Sequence, residues 1–158
     1  MHKTNAARLL DKAKIPYELI SYEVDENDLS ATHLAEQLGM SAGCIFKTIL
    51  LRGDRQGVFV AVVPGDREVN LKRAAAVSGN KKAEPVAVKE LLGLTGYIRG
   101  GCSPVGMKKQ YPTFIDEHIL QYEQVYVSAG QRGLQLKLRP QDLISAVSAL
   151  VCNLTEVE

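Results

Sequence analysis

Apolar and polar residues alternate along the chain with two different periods, which separates predicted helices from predicted strands. In some segments, apolar side chains recur every three to four residues, as in helices. In others they occupy every second position or form a continuous run, as in strands. The helices are predicted at residues 4–14, 31–38, 70–79, 85–94 and 141–151. The strands are predicted at residues 17–24, 45–52, 58–64, 114–116, 124–130 and 134–139.

Residues at the ends of these segments support the predicted helices. Thr4 and Ser30 are suited to cap the first two helices, and Gly39 is suited to end the second. Asn70 stands where the chain enters the third helix, so N-capping explains it without any function. Pro140 is suited to the first turn of the last helix.

The order of the elements favours an α+β fold with a mixed, largely antiparallel sheet. The two strands at 45–52 and 58–64 flank a polar tip and form a hairpin, and the chain lacks the steady strand–helix alternation of a doubly wound sheet. A chain of 158 residues is expected to form one domain, residues 1–158, around one core.

Composition and charge narrow the class of protein. Apolar residues make up 46% and charged residues 23%, as in ordinary globular proteins. No apolar run reaches the ~20 residues of a membrane-spanning helix, and the first residues do not resemble a secretion signal, so we expect a cytoplasmic protein without a membrane partner. With a net charge of only +1, contact with nucleic acid depends on a local patch.

Lys47 is a charged residue in the predicted strand 45–52, whose other residues before the terminal Arg52 are apolar apart from Thr48, and two explanations stay open. It lies at the edge or end of the strand and reaches water along its stem, or its ammonium group points into a cleft. In a cleft, a fixed cation can bind a phosphate or stabilise an oxyanion.

A glycine-rich segment at residues 99–110, RGGCSPVGMKKQ, is either a turn or a ligand-binding loop. Glycines at its two ends allow positive φ and a close approach of backbone to ligand, while Pro104 stiffens the middle. It matches neither common nucleotide-binding glycine motif. Ser103 and Cys102 have no histidine partner in the pattern, so a protein nucleophile is disfavoured.

No metal or cofactor site is predicted. Cys44, Cys102 and Cys152 are widely spaced and odd in number, which argues against a disulfide framework or a zinc cluster. The adjacent Asp116, Glu117 and His118 fit a solvated turn better than a metal site, since neighbours in an extended segment point to alternate faces. Residues 128–133 fit a hairpin turn.

Taken together, these motifs resemble the YbaK/EbsC family of aminoacyl-tRNA editing proteins. The likeness runs nearly end to end, and the pairing of FKT with GGxSPxG, in this order and spacing, is its most specific part. The motifs that carry the likeness are Ile15-Pro16-Tyr17, Tyr22-Glu23-Val24-Asp25, Phe46-Lys47-Thr48, Asn70-Leu71-Lys72, Thr95-Gly96-Tyr97, the loop at 100–109, Val127-Ser128-Ala129-Gly130, Arg132-Gly133-Leu134 and Pro140-Gln141-Asp142-Leu143.

The resemblance implies a barrel-like mixed sheet flanked by helices, and cleavage of the ester between tRNA and a wrongly attached amino acid. It makes Lys47 the first choice for the most important residue. Catalytic roles are implied for Lys47, Gly100, Gly101 and Ser103. Substrate contacts are implied for Tyr22, Asn70, Pro104, Gly106, Ser128 and Gly130.

The substrate that the resemblance favours is Cys-tRNA(Pro), cleaved in trans without a cofactor or metal. In that branch the thiol of the attached cysteine attacks its own ester carbonyl, so the enzyme need not supply a nucleophile. The alternatives are a deacylase of Ala-tRNA(Pro) or of another mischarged tRNA that uses water, and a binding module without catalysis. The implied partners are the acceptor end of tRNA and prolyl-tRNA synthetase.

Overall fold

The computed structural model of the chain describes residues 3–156 and contains helices and strands mixed along the chain. The helices are α1 Asn5–Lys12, α2 Ala31–Leu38, α3 Leu71–Val77, α4 Val88–Thr95 and α5 Pro140–Ala146. The strands are β1 Glu18–Ser21, β2 Phe46–Gly53, β3 Gly57–Pro64, β4 Ala83–Pro85, β5 Thr113–Asp116, β6 Val125–Ser128, β7 Leu134–Leu138 and β8 Leu150–Cys152. Two 3₁₀ turns cover Ala42–Cys44 and Glu117–Gln121.

The strands form two sheets. An antiparallel three-stranded sheet has the order β1-β7-β6, and a five-stranded sheet has the order β4-β2-β3-β5-β8. In the larger sheet β2 is antiparallel to β3 and β4, whereas β5 is parallel to β3 and β8. The predicted α+β fold with a mixed sheet is therefore confirmed.

The expectation of a barrel-like sheet needs correction. Within residues 3–156 the two sheets meet through a single isolated bridge between Ile45 and Tyr126, and the larger sheet keeps β4 and β8 as separate edges. Closing a barrel requires a continuous ladder around the whole sheet, which one bridge does not supply. The bridge nevertheless brings the start of β2 beside β6.

The predicted helix starts follow from local side-chain capping. Thr4 Oγ1 accepts a hydrogen bond from the Ala7 N–H at 3.2 Å, and Ser30 Oγ accepts one from the His33 N–H at 3.1 Å. At the other end of α2, Gly39 adopts a left-handed φ of 67°. These caps confirm the expected limits of α1 and α2.

Two predicted helices are shorter than expected because short strands take their ends. The helix predicted at 141–151 ends at Ala146, and the segment after the positive-φ residue Ser148 becomes β8, which pairs with β5. The helix predicted at 85–94 starts only at Val88, because Pro85 lies in the edge strand β4. An edge strand tolerates proline, since its missing N–H can face away from the ladder.

Buried side chains cover both faces of β2. Phe46 and Leu50 belong to the larger core cluster, whereas Leu51 packs with Phe59 and Phe114 in a second cluster. Strand alternation puts Lys47 on the same face as Leu51. Lys47 can escape this apolar cover only because it lies at the beginning of the strand.

Candidate functional site

A cavity of about 180 Å³ lies where the start of β2 meets the glycine-rich segment. Its other walls come from the segment after β1, from α2, and from β6 and β7. Of the residues predicted from the sequence, it brings together Tyr22, Lys47, Gly100 and Ser128. Four segments that are distant in the sequence therefore converge on one site.

The Lys47 ammonium group has one weak partner. Its Nζ lies 3.5 Å from Oε1 of Glu68, whose side chain is 92% exposed, while that of Lys47 is 30% exposed. Exposed ion pairs of this kind contribute little stability and exchange partners readily. Lys47 is thus one of the residues that line the cavity, and its ammonium group lies beside an exposed carboxylate outside the lining.

The glycine-rich segment packs directly against the turn between β6 and β7. Gly100 has a φ of 84°, and a Cβ there would come within 3.1 Å of Arg132 Nε and of a Leu29 methyl carbon. A Cβ on Gly101 would lie 3.0 Å from the backbone Cα of Gln131. Arg132 Nε also donates a hydrogen bond to the Arg99 carbonyl at 2.8 Å. Both glycines are needed for this close approach.

The N–H groups of the same segment differ in whether they are already used. The Gly101 N–H donates to the Ile98 carbonyl at 2.9 Å. Those of Gly100 and Cys102, two residues that line the cavity, have no hydrogen-bond acceptor in the part of the chain that the structure describes. Such donors are the groups that an oxyanion site requires.

Ser103, Pro104 and Gly106 lie behind the cavity wall. Ser103 is fully buried, and its Oγ accepts a hydrogen bond from the Val105 N–H at 3.2 Å, while Pro104 is also buried. Gly106 has a φ of 81° and lies close to the Tyr97 hydroxyl group. The structure thus gives these three residues a place in the shape of the segment, and none of them lines the cavity.

Tyr97 supports this segment from below, and sequence reasoning did not select it as a functional residue. Its buried hydroxyl group donates to the Val105 carbonyl at 2.6 Å, and burial raises its pKa to about 12. A Cβ at Gly106 would come within 2.8 Å of Tyr97, and one at Gly130 within 2.9 Å. Tyr97 therefore holds both glycine turns, and Gly130 contacts this ring without lining the cavity.

Asn70 and Ser128 have different positions. Asn70 caps α3 through a hydrogen bond from the Arg73 N–H at 3.1 Å, and its Nδ2 donates to the Glu156 carbonyl at 2.7 Å, outside the cavity. Ser128 lines the cavity, and its Oγ accepts from the Gly130 N–H at 3.2 Å. The capping prediction for Asn70 is confirmed.

Among residues 3–156, none that lines the cavity provides an activated nucleophile. Cys102 lines it, but burial raises the pKa of its thiol to about 11, in spite of a hydrogen bond with Thr95 that lowers it. The His33 ring lies 3.7 Å from an Asp25 carboxylate oxygen and 3.8 Å from one of Asp28. No hydrogen bond joins a histidine to Cys102 or Ser103 among residues 3–156.

Several further polar residues line the cavity that sequence reasoning missed. They are Glu23, Asp25, Asp28, Ser30, His33, Gln37, Thr48 and Gln135. In the sequence, Asp25 and Asp28 fall in a polar loop, Glu23 falls in the strand predicted at 17–24, and Thr48 and Gln135 fall in largely apolar strands. A polar residue inside an apolar strand, as Thr48 and Gln135 are, was the available signal.

The described residues offer neither a metal site nor a membrane-spanning helix. No group of three or more histidine, cysteine, aspartate or glutamate side chains there could hold a metal ion. No helix in that part of the chain is both long and apolar enough to cross a membrane.

Comparisons with known proteins identify the family. The model of the aminoacyl-tRNA editing domain matches residues 25–146. The chain is 46% identical over 156 residues, 99% of its length and 95% of the relative's, to the Enterococcus faecalis protein named "Putative Cys-tRNA(Pro)/Cys-tRNA(Cys) deacylase EbsC". It is 31% identical over 102 residues, 65% of its length but only 18% of the relative's, to the proline–tRNA ligase of Lactobacillus gasseri.

Solved structures show the same fold. The hypothetical protein APE2540 superposes with a TM-score of 0.88 at 25% identity, covering 97% of this chain and all of that one. A protein described as a "putative trans-editing enzyme for prolyl tRNA synthetase" gives 0.86 at 24% identity, covering 99% of this chain and all of that one. The resemblance found in the sequence motifs is thus confirmed, and the chain belongs to the aminoacyl-tRNA editing domain family.

Proposed function

We propose that this protein is a trans-acting deacylase that clears Cys-tRNA(Pro). It cleaves the ester that joins a wrongly attached cysteine to the terminal ribose of tRNA. The proposal is supported by membership of the editing family and by the name of the E. faecalis relative, with which the chain aligns over nearly its whole length.

The observation that carries the proposal is a cavity with free backbone donors and a lysine but no activated nucleophile of the protein. Gly100 and Cys102 offer N–H groups, Lys47 offers a cation, and the Cys102 thiol is held protonated by burial, with its pKa raised to about 11. The attacking group therefore comes from the substrate or from water.

For cysteine, the substrate thiol is the attacking group. Its sulfur bonds to the ester carbonyl carbon, the bond from that carbon to the ribose oxygen breaks, and the thiol proton passes to the ribose oxygen. The products are a cyclic thiolactone and intact tRNA. The attack is intramolecular, so the protein contributes by holding the thiol near the carbonyl and by stabilising the developing oxyanion.

The residues predicted from the sequence have different parts in this scheme. The N–H groups of Gly100 and Cys102 stabilise the oxyanion, while Lys47 binds the ribose–phosphate end or favours the thiolate. Tyr22 and Ser128 form the wall against the aminoacyl group. Gly101, Ser103, Pro104 and Gly106 shape the segment from behind, and Gly130 and Asn70 act at a distance from the substrate.

The chemistry of proline selection explains the need for such a protein. A synthetase site shaped for proline discriminates poorly against an amino acid of similar or smaller size, because about one methylene group is worth only roughly 1–3 kcal/mol. A second site, which selects on a property other than size, removes the wrongly attached amino acid.

The substrate and its charge also suggest the partners. The protein binds the acceptor end of mischarged tRNA, and a net charge of +1 gives it little long-range attraction for the tRNA body. Prolyl-tRNA synthetase, which holds that tRNA, is therefore proposed as a partner, and the cytoplasm as the place of action.

The test measures release of the amino acid from Cys-, Ala- and Ser-tRNA(Pro) by the purified protein. Lys47→Ala is compared with Lys89→Ala, a control at an exposed lysine of α4 outside the cavity. We expect fast release of cysteine alone, with a thiolactone detected by mass spectrometry, and a loss of about 100-fold or more for Lys47→Ala only.

Other results would redirect the proposal. Equal or faster loss of alanine means that water is the nucleophile. Loss of serine at the rate of cysteine excludes a need for the thiol. If no charged tRNA is deacylated, the protein is a binding module, and unchanged turnover by a folded Lys47→Ala protein removes Lys47 from the mechanism.

A further inference from the structure

Two buried side-chain oxygen atoms in the described residues have no hydrogen-bond partner, and both belong to the wall of the same cavity. They are Oγ1 of Thr48 and Oε1 of Gln135. The side chain of Gln135 is nearly enclosed, since the residue is only 5% exposed. Unpaired buried polar atoms are rare in native proteins, so their meeting at one cavity calls for a ligand that satisfies them.

Both residues are held by regular strands. Thr48 follows Lys47 in β2 and pairs with Val62 of β3. Gln135 lies in β7, the central strand of the smaller sheet, between Ile20 of β1 and Ser128 of β6. Side chains on paired strands are positioned more firmly than those on loops, so each of these acceptors is held in place by its own strand.

The charges around the cavity favour a cationic donor. Three carboxylates line it, those of Glu23, Asp25 and Asp28. Lys47 on the same wall lies 3.5 Å from Oε1 of Glu68, and the His33 ring lies between Asp25 and Asp28. A cluster of carboxylates attracts a positively charged ligand group.

We propose that the Thr48 hydroxyl and the Gln135 side-chain carbonyl accept hydrogen bonds from the α-ammonium group of the aminoacyl ester. This rests on the proposed function. The ammonium group is the positively charged part of an aminoacylated tRNA end, and it carries three N–H donors, enough for both oxygens. Hydrogen bonds from a charged donor are also stronger than neutral ones.

An ammonium site would let the protein distinguish a free amino acid from an N-acylated one on tRNA, which the ester chemistry alone does not do. An amino acid whose nitrogen is acylated, as in every peptidyl-tRNA, has no positive charge and only one N–H. It would leave a buried acceptor unpaired in an acidic cavity, which is unfavourable. The protein is therefore expected to act on tRNA carrying a free amino acid and to spare peptidyl-tRNA.

The test is a binding measurement that does not depend on turnover. The probes are a non-hydrolysable 3′-amide of adenosine with cysteine and its N-acetyl derivative, titrated calorimetrically into the wild-type protein and into Thr48→Val, Gln135→Met and the double variant. In the wild type, we expect the N-acetyl probe to bind more weakly than the free-amine probe, by a factor of at least about ten for each of the two oxygens. In the double variant, we expect the two probes to differ by less than about threefold.

Thr113→Val is the matched control. Thr113 is as buried as Gln135, at 5% exposed, but its Oγ1 donates to the Tyr111 carbonyl at 3.0 Å and the residue lies outside the cavity. The Thr113→Val substitution should lower the free energy of unfolding. It should leave unchanged the acetylation penalty, which is the factor by which acetylation of the probe weakens binding. The penalty is a ratio within one protein, so partial unfolding of a variant does not imitate the expected result.

The inference is overturned if both probes bind the wild type equally, if neither binds, or if the double variant keeps the full penalty. Deacylation of Cys-tRNA(Pro) and of N-acetyl-Cys-tRNA(Pro) separates it from the proposed function. Preference for the free amine in binding without any deacylation refutes the proposed function and leaves the ammonium site standing. Equal deacylation of the two tRNAs refutes the ammonium site and leaves the proposed function.

Discussion

Two glycine-to-alanine substitutions are expected to change stability in opposite directions, and they test how closely the glycine-rich segment is packed. Gly101 is buried and has no left-handed φ, so a methyl group there destabilises the fold through its contacts and not through backbone strain. Gly93 is an exposed residue inside α4, with no atom within 4 Å of the position of an added Cβ. The change in chemistry is the same at both positions.

The magnitudes follow from the distances. A Cβ at Gly101 would lie 3.0 Å from the Gln131 Cα and 3.1 Å from the Arg132 N, so backbone atoms of the β6–β7 turn must retreat by a few tenths of an ångström. Overpacking of this kind costs about 1–3 kcal/mol. At Gly93, replacing glycine inside a helix gains about 0.5–1 kcal/mol, because less backbone entropy is lost on folding.

Urea unfolding followed by circular dichroism measures both changes in the free energy of unfolding. Deacylation of Cys-tRNA(Pro) by the folded proteins then shows whether the moved segment still presents its N–H donors. We expect Gly101→Ala to be less stable and slower, and Gly93→Ala to be more stable with unchanged turnover. If Gly101→Ala gains as much stability as Gly93→Ala, the close contact between the two segments is refuted.

Three further predictions concern side chains around the cavity. At neutral pH, iodoacetamide should label Cys102 about 100-fold more slowly than a thiol of pKa 9.0, because the Cys102 pKa of about 11 lowers the thiolate fraction. Labelling is read by peptide mass spectrometry, and fast labelling of Cys102 would contradict the prediction. The Cys102→Ala variant should keep most deacylase activity. Tyr97 has its pKa raised by burial from 10.0 to about 12, so the neutral form is favoured in the fold; its stabilising contribution is complete below pH 10 and is lost as pH rises from 10 to 12. The unfolding free energy of Tyr97→Phe should fall less over that range than that of the wild type, and an equal fall would show that Tyr97 does not titrate there. Asn70→Ala should lose about 1–2 kcal/mol of stability with little change in turnover, whereas a large loss of turnover in folded protein would restore Asn70 as a substrate contact.

The sequence was sufficient for elements whose pattern is local. The starts of three helices could be predicted from their capping residues, Thr4, Ser30 and Asn70. The hairpin of β2 and β3 could be predicted from the two apolar runs and the polar turn between them. It was insufficient for β4 and β8, which are three-residue edge strands. A segment as short as Leu150–Cys152 is a strand only because β5 is beside it, and no local pattern records that neighbour.

The same distinction applies to the site. Lys47 was identifiable because a charge is conspicuous in an apolar strand, and its meeting with Gly100 came from family resemblance. Thr48 and Gln135 were not identified, because alternation alone does not reveal which strand face has a cavity in front of it. A sequence shows that a side chain is polar, whereas the unpaired state of its oxygen depends on every neighbour in space.

The absence of an activated protein nucleophile from this cavity is an advantage for the proposed substrate. Proline and cysteine are close in size, so a pocket that admits the aminoacyl group of Cys-tRNA(Pro) gains little by steric exclusion of the correct Pro-tRNA(Pro). A strong nucleophile at Cys102 would then attack both esters, and burial of that thiol, with its pKa near 11, avoids this. When the attacking sulfur comes from the substrate, proline lacks the reacting atom, so the ester of Pro-tRNA(Pro) is not cleaved when it binds in the same cavity. Selectivity then lies in the chemistry of the amino acid, and the protein's task is to hold the ester, the ammonium group and the thiol in one arrangement.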